Sequence, residues 1–277
     1  MHELVSIIIP CYNKSRYIGE TIESALNQTY PNIEVIVVND GSTDDSLEQI
    51  KRFVPKGITL IQQENQGVCI TRNNGIRHAS GQYIVPLDAD DILEFSYVER
   101  CIECFHKDPS LKLVYTQGDY FGQRHGSISF PPYHFDTLLW YSIIPATSMY
   151  RKEDFNQTIG YNPNMTYALE DWDFYLTLMQ PSDKAHLIDE VLFHYRIVEL
   201  ARNSNIENNK EAIFKQIYRN HPHLYTAYND ILLFAHDQWK EYLSLYNNVC
   251  RSKAYRLGKI LLKPFSIIRQ IFSRCHQ

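Results

Sequence analysis

Three clusters of carboxylates carry the chemistry that this sequence can do, and two of them sit directly behind an apolar, strand-like run. In Val85-Pro86-Leu87-Asp88-Ala89-Asp90-Asp91 the acids stand two apart. Hard divalent ions such as Mg²⁺ and Mn²⁺ take oxygen ligands and are commonly held by one or two carboxylates together with substrate phosphates. An ion held by Asp88 and Asp90 would leave coordination positions open for a diphosphate and act on it as a Lewis acid. The alternative is that Asp88 to Asp91 cap the helix expected after them or solvate a turn; the strand-end position favours the metal. The second cluster follows Val38 as Asn39-Asp40-Gly41-Ser42-Thr43-Asp44. An acid at the end of a second strand can accept hydrogen bonds from the base or ribose of a nucleotide. The third, Glu170-Asp171-Trp172-Asp173, leads into the apolar stretch Phe174 to Met179. Its acids could simply favour a helix start, or one of them could take a proton from an attacking hydroxyl.

These residues need elements to hold them. Val5 to Ile9 is an apolar, β-branched run interrupted only by Ser6 and stopped by Pro10, which predicts a buried parallel strand, and Ile18, Ile22, Ala25 and Leu26 fall at helical spacing within Tyr17 to Gln28. The alternation continues with a strand over Ile33 to Val38, a helix over Ser46 to Phe53, a strand over Ile58 to Gln62, a helix over Val68 to His78 and a strand over Tyr83 to Leu87. A helix near Ser96 to His106 and a strand near Leu111 to Tyr115 follow. Strands alternating with helices predict an α/β fold with a mostly parallel, Rossmann-like sheet flanked by helices. Ligands in such sheets bind beyond the carboxyl ends of the strands, so Pro10 to Asn13, Asn39 to Asp44 and Asp88 to Asp91 should share one crevice. Beyond Tyr115 the alternation lapses, with Gly118, Gly122, Gly126, Pro131 and Pro132 marking loops, and from Ile206 the pattern is helical. A soft boundary is expected near Arg202, dividing residues 1–202 from a helical C-terminal extension over 203–277.

Composition narrows the function classes. The formal net charge of −5 over 277 residues argues against a nucleic-acid partner. No stretch approaches the ~18 apolar residues of a membrane-crossing helix. The six cysteines show no framework spacing and Met1 to Glu3 lead straight into a strand, which favours a reducing cytoplasm; Cys101 and Cys104 are read as ordinary thiols. A dinucleotide fold needs GxGxxG after its first strand, whereas Pro10-Cys11-Tyr12-Asn13-Lys14 has no glycine, which argues against a dehydrogenase.

The run VSIIIPCYNKSRYIGETIESALNQTYPNIEVIVVNDGSTDDS, followed by ENQGVCITRNNGI, GQYIVPLDADD and LEDWDFYLTL, resembles the family 2 glycosyltransferases with the GT-A fold over about residues 4 to 200. The resemblance implies inverting transfer from a nucleotide-diphosphate sugar to an acceptor hydroxyl by a single displacement, with Mn²⁺ or Mg²⁺ as cofactor. It implies that Pro10, Tyr12, Asn13 and Asp40 hold the nucleoside, that Arg72 lies near the diphosphate, and that Asp88, Ala89 and Asp90 form the D-x-D. Asp171, with Glu170 beside it in the family's E-D pair, would be the base. His194, just before Tyr195-Arg196, is expected as a further metal or diphosphate ligand, its alternative being a structural histidine in the apolar run Val191 to Tyr195. Two positions depart from the family pattern. Many relatives carry Glu where Lys14 stands, and the histidine and serine that often follow Tyr-Arg are replaced here by Ile197-Val198-Glu199.

Family frequency points to a uridine diphosphate sugar and a saccharide or lipid-linked acceptor in bacterial surface polysaccharide. A nucleotidyltransferase would want a glycine-rich, basic first loop, which Pro10 to Ser15 is not. A non-catalytic sugar-binding module would have lost acids that are all present. Between Arg251 and Gln277 the sequence has seven basic residues and no acid, interleaved with Leu261, Phe265, Ile268 and Phe272, while Pro264 interrupts the helical spacing. A basic amphipathic segment of this kind suits the anionic inner face of a membrane; the alternative is packing on the domain or against a second subunit in a homodimer.

Overall fold

The computed structural model describes residues 2–198 and 203–226. It divides into a compact unit Met1–Pro222 and a second unit His223–Gln277. The first unit takes in the helix Asn203–Asn220, which lies beyond the boundary expected near Arg202. Of the second, only residues 223–226 are described, within a short helix Pro222–Thr226, and the basic segment Arg251 to Gln277 lies outside the described residues.

The amino-terminal half forms as its periodicity predicts. Strands β1 (Val5–Cys11), β2 (Ile33–Asp40), β3 (Thr59–Gln63) and β4 (Tyr83–Pro86) pair in parallel in the order β3-β2-β1-β4. They alternate with helices α1 (Ile18–Leu26), α2 (Ser46–Lys51) and α3 (Val68–His78). β1 is buried at every residue, because both its faces are covered. Val5, Ile7 and Ile9 pack with Ile18, Ile22 and Ala25 of α1 and with Val98, Cys101 and Phe105 of helix α4 (Tyr97–Lys107). Ile8 and Val38 face the other way, towards α3. Gly75 of α3 sits so close that a β-carbon there would lie 2.5 Å from Ile8 and 3.1 Å from Val38. That glycine lets α3 press onto the sheet. β1 runs through Pro10 instead of stopping there. β4 partners it only as far as Ile8, so proline meets no ladder on that side.

The second half is more sheet-like than its glycines and prolines imply. β6 extends over Leu111–Gly122, so Gly118 and Gly122 lie within a strand, and Gly126 begins the short β7 (Gly126–Ile128) paired to it. β8 (Met149–Arg151) and the long β9 (Lys184–Ile197) complete a nine-stranded sheet ordered β3-β2-β1-β4-β8-β6-β9-β5, where β5 is the two-residue strand Ile92–Leu93. β8 runs antiparallel to both β4 and β6, while β9 runs parallel to β6, so the sheet is mixed beyond β4. Helices α5 (Phe135–Leu138), α6 (Lys152–Asn156) and α7 (Glu170–Leu178) lie between these strands in sequence. α7 packs on the same face as α3, with Phe174 against Tyr150, whose strand partner is Ile84. Helix α8 (Asn203–Asn220) and α9 (Pro222–Thr226) end the described chain. Among the described residues no helix is long and apolar enough to cross a membrane.

Candidate active site

The carboxyl ends of β1, β2 and β4 open onto a cavity of about 440 Å³ lined by Pro10, Cys11, Tyr12, Lys14, Asp40 and the turn Asp88-Ala89-Asp90. The expected crevice is therefore shared. The turn is closed by the Asp91 N–H donating to the Asp88 carbonyl at 3.0 Å, and it leads into β5, not into a helix. A helix-capping role for these acids is thereby removed, because α4 begins only at Tyr97.

Asp40 ends β2 almost wholly buried. Its Oδ1 accepts from Gln63 Nε2 at 2.8 Å and from the Gln66 N–H at 2.9 Å, while its Oδ2 accepts from the Gly67 N–H at 3.0 Å. It thus organises the loop before α3 as well as lining the cavity. Tyr12 presents a half-exposed ring on the same wall. Asn13 differs from expectation. It adopts a left-handed backbone with φ 53°, which asparagine tolerates, and its Oδ1 accepts from the N–H groups of Thr43 at 2.8 Å and Asp44 at 3.3 Å. Its side chain braces the turn after β2 instead of facing the cavity.

Arg72 connects the first and third carboxylate clusters. It is 1% exposed on α3, donating from Nη2 to Asp88 Oδ1 at 2.5 Å and from Nη1 to Glu170 Oε1 at 2.9 Å, with Tyr161 stacked 5.3 Å away. Burial opposes its charge, but the two carboxylates outweigh that and hold it firmly protonated. Residues 98 positions apart are thereby tied across one face of the sheet. Arg72→Met should expose the worth of this link. Removing one partner of a buried pair typically costs about 3 to 5 kcal/mol, since the buried Glu170 loses the guanidinium that faces it. Urea unfolding should show that loss, and Glu170→Gln added to Arg72→Met should recover part of it; a single variant as stable as the parent would show that the pair holds nothing together.

Glu170 and Asp171 open α7 immediately after Leu169, a non-glycine residue in the left-handed region with φ 61°. Strain of this kind persists only where surrounding structure enforces it. The enforcement here comes from Trp172, whose Nε1 donates to the Leu138 carbonyl at 2.6 Å, and from Tyr175, whose hydroxyl donates to the Pro145 carbonyl at 2.8 Å. Asp171 Oδ1 accepts the Trp172 N–H at 2.8 Å. Burial first, and then the neighbouring Glu170 charge, push the Asp171 carboxyl up to about 7. Asp173, by contrast, faces away from the site. It is fully buried and meets His221 Nε2 at 2.9 Å and Asn220 Nδ2 at 2.7 Å, so it fastens α7 to the end of α8.

Asp171, Glu170, Arg72 and Asp88 line a second cavity of about 360 Å³, together with Tyr120, Phe130, Phe193 and Tyr195. Asp88 and Tyr195 belong to both cavities, which therefore meet at the D-x-D turn. The structure corrects the ligand expectation for His194. Phe193 and Tyr195 face the second cavity, so by strand alternation His194 between them points to the opposite face of β9. There its Nδ1 meets Asp119 at 2.6 Å and its Nε2 meets Glu94 at 2.9 Å. Burial works against protonation of that ring, but the two carboxylates prevail and its pKa is raised.

Two basic side chains that sequence reasoning did not place in the site line the first cavity. Lys14 is ion-paired with Asp90. Arg196 donates from Nε to the Asp90 carbonyl at 2.7 Å and from Nη2 to Glu20 at 2.5 Å, lies over Phe121 and Tyr17, and gives its backbone N–H to the buried Asp91 at 2.9 Å. Charge reversal at position 14 was the available signal for Lys14; the Tyr195-Arg196 pair was the signal for Arg196. Asp88 and Asp90 suit a hard divalent ion by donor type, both being oxygen-only ligands on the cavity wall. The ammonium already standing on Asp90 marks the position as one that holds positive charge.

The sequence profile described as glycosyl transferase family 2 matches residues 6–170. Chondroitin synthase of Escherichia coli is 37% identical over 190 residues, an alignment covering 66% of this chain and 28% of that protein. The glycosyltransferase EpsJ of Bacillus subtilis, itself uncharacterised, is 31% identical over 71% of this chain and 62% of its own length. The chain thus spans less than a third of the chondroitin synthase. Among solved structures, S. aureus TarS residues 1–349 in complex with UDP superposes with a TM-score of 0.62 at 18% identity, covering 78% of this chain and 71% of that one. The mannosyltransferase PcManGT of Pyrobaculum calidifontis, in complex with GDP-Man and Mn²⁺, gives 0.59 at 18% identity, covering 94% and 84%. At such identities the likeness is one of fold, and it agrees with the GT-A architecture expected.

Proposed function

Because the chain belongs to glycosyltransferase family 2, we propose that it is an inverting, metal-dependent glycosyltransferase that moves a sugar from a nucleoside diphosphate donor to an acceptor hydroxyl. The single observation that carries the reading is Arg72, which bridges Asp88 of the D-x-D turn to Glu170 and so sets Asp171 beside the place where the two cavities meet. The donor occupies the first cavity, its nucleoside near Tyr12, Pro10 and Asp40. The acceptor occupies the second, where aromatic side chains offer faces to a sugar ring. Asp88 and Asp90 would hold the divalent ion, which when bound would supply Lewis-acid neutralisation of the departing diphosphate.

The acceptor hydroxyl attacks the anomeric carbon as the bond from that carbon to the diphosphate oxygen breaks. Asp171 takes the hydroxyl proton at Oδ2, its Oδ1 being engaged by the Trp172 N–H. A carboxyl raised to about 7 is matched to that task near neutral pH. Arg72 keeps Asp88 oriented, and Arg196 holds the D-x-D turn to α1 through Glu20. A uridine diphosphate sugar is the proposed donor, in line with the UDP carried by the TarS structure. Bacterial surface polysaccharide is the proposed setting, in line with the chondroitin synthase relative. A cytoplasmic location is the proposed setting, with Cys11, Cys101 and Cys104 standing as thiols among the described residues.

Incubation with a panel of nucleotide sugars and Mn²⁺ should release nucleoside diphosphate slowly from one donor by hydrolysis, without pyrophosphate. Pyrophosphate as the product would instead indicate a nucleotidyltransferase. Tight donor binding with no product of either kind would indicate a binding module.

A further inference from the structure

The two carboxylates of the D-x-D turn each hold a cation of the protein's own, and the two cations differ in kind. Arg72, on Asp88, is 1% exposed and fixed at its other end by Glu170. It has nowhere to go. Lys14, on Asp90, is a single ammonium on a flexible stem, about a third exposed, on the wall of the donor-side cavity. Its backbone is fixed: the Lys14 N–H donates to Ser46 Oγ at 2.7 Å, and its carbonyl accepts from the N–H groups of Tyr17 and Ile18, both at 2.9 Å, at the start of α1. Only the side chain is free to swing.

We propose that Lys14 is an exchangeable resident cation, which holds Asp90 until a nucleoside diphosphate arrives with its divalent ion, then yields Asp90 to that ion and moves onto the diphosphate oxygens. The inference rests on the donor site proposed above. Its physical basis is that an ammonium and a divalent ion are like charges competing for one carboxylate. With no diphosphate present, the ion must displace Lys14 and leave it beside a new positive charge. With the diphosphate present, both cations find oxygens. Ion and nucleotide should therefore bind with positive coupling, and by linkage each should strengthen the other equally.

The test is Mn²⁺ binding to the full chain, read by the electron paramagnetic resonance of free Mn²⁺, with no nucleotide, with UDP and with GDP. Lys14→Met should bind Mn²⁺ without nucleotide on the order of tenfold more tightly than the parent, because the competitor is gone. UDP or GDP should then strengthen Mn²⁺ binding to the parent by a larger factor than to Lys14→Met. Lys14→Arg, which keeps the charge, should stay weak without nucleotide. Thermal melting checks that each variant folds, with Lys14→Gln in reserve if the methionine variant does not. Equal nucleotide-free affinity in parent and Lys14→Met, with coupling intact in both, would overturn the role of Lys14 and leave the donor site standing. Failure of either protein to retain Mn²⁺ with either nucleotide would overturn the donor site, and the inference with it.

Discussion

Replacing Asp171 by asparagine is expected to lower turnover by about 10²-fold to 10⁴-fold while leaving donor affinity nearly unchanged, the range attributed to a positioned general base. Asparagine keeps the oxygen that accepts the Trp172 N–H, so the start of α7 should survive the change. The parent should show a rate limb that rises with pH through about 7, since Asp171 must be ionised to accept the proton, and the variant should lack that limb. Stability should move the other way. The folded-state pKa is about 7, above the usual value of 3.8. The unfolded chain therefore binds fewer protons than the folded one between those two values, and the stability that the protonated carboxyl contributes is lost as pH rises through about 7. The Asp171→Asn protein should accordingly show a higher urea midpoint than the parent at pH 8, with the gap closing near pH 4. A variant that transfers sugar at the parental rate would move the base elsewhere, and Asp173 is a poor successor because it is sealed against His221 and Asn220.

Removing divalent ions with excess chelator should abolish turnover, and added Mn²⁺ or Mg²⁺ should restore it. Asp90→Ala should lower turnover by about 10³-fold, because Lewis-acid stabilisation of a leaving group is worth several kcal/mol and each 1.36 kcal/mol is a factor of ten. The variant also strips Lys14 of its partner and leaves an ammonium in the donor cavity. That ammonium should attract the diphosphate, so donor affinity should fall much less than turnover. Full activity in chelator, or an Asp90→Ala enzyme as fast as the parent, would remove the ion from the reaction.

Sequence by itself determined the first half of this protein and the family to which it belongs. A parallel strand covered on both faces is mostly apolar, so Val5 to Ile9, Ile33 to Val38 and Tyr83 to Leu87 announce themselves despite Ser6 and Glu34, and the polar residues that follow each are bound to meet at the sheet's carboxyl edge. The helix expected over Val68 to His78 forms over those residues. The second half was not legible. β6, β8 and β9 pair with partners far away in sequence, and glycines such as Gly118 and Gly122 that ordinarily mark loops are here pressed against Phe193 and Ile197 across the ladder, contacts that no local pattern records. The same distinction separates the site residues. The types of Asp88, Asp90 and Asp171 were readable, because the capacity of a carboxylate to ligate an ion or take up a proton is a property of the side chain. Tertiary structure alone decided which way each one faces: Asp171 towards the cavity and Asp173 into a buried clamp two residues later, His194 turned behind β9 between two residues that face forward, and Lys14 brought onto Asp90 from 76 positions away. Direction and partnership are set by the packing of α3, α7 and β9 against one sheet, and the free energy of that packing belongs to the whole fold and to no one segment.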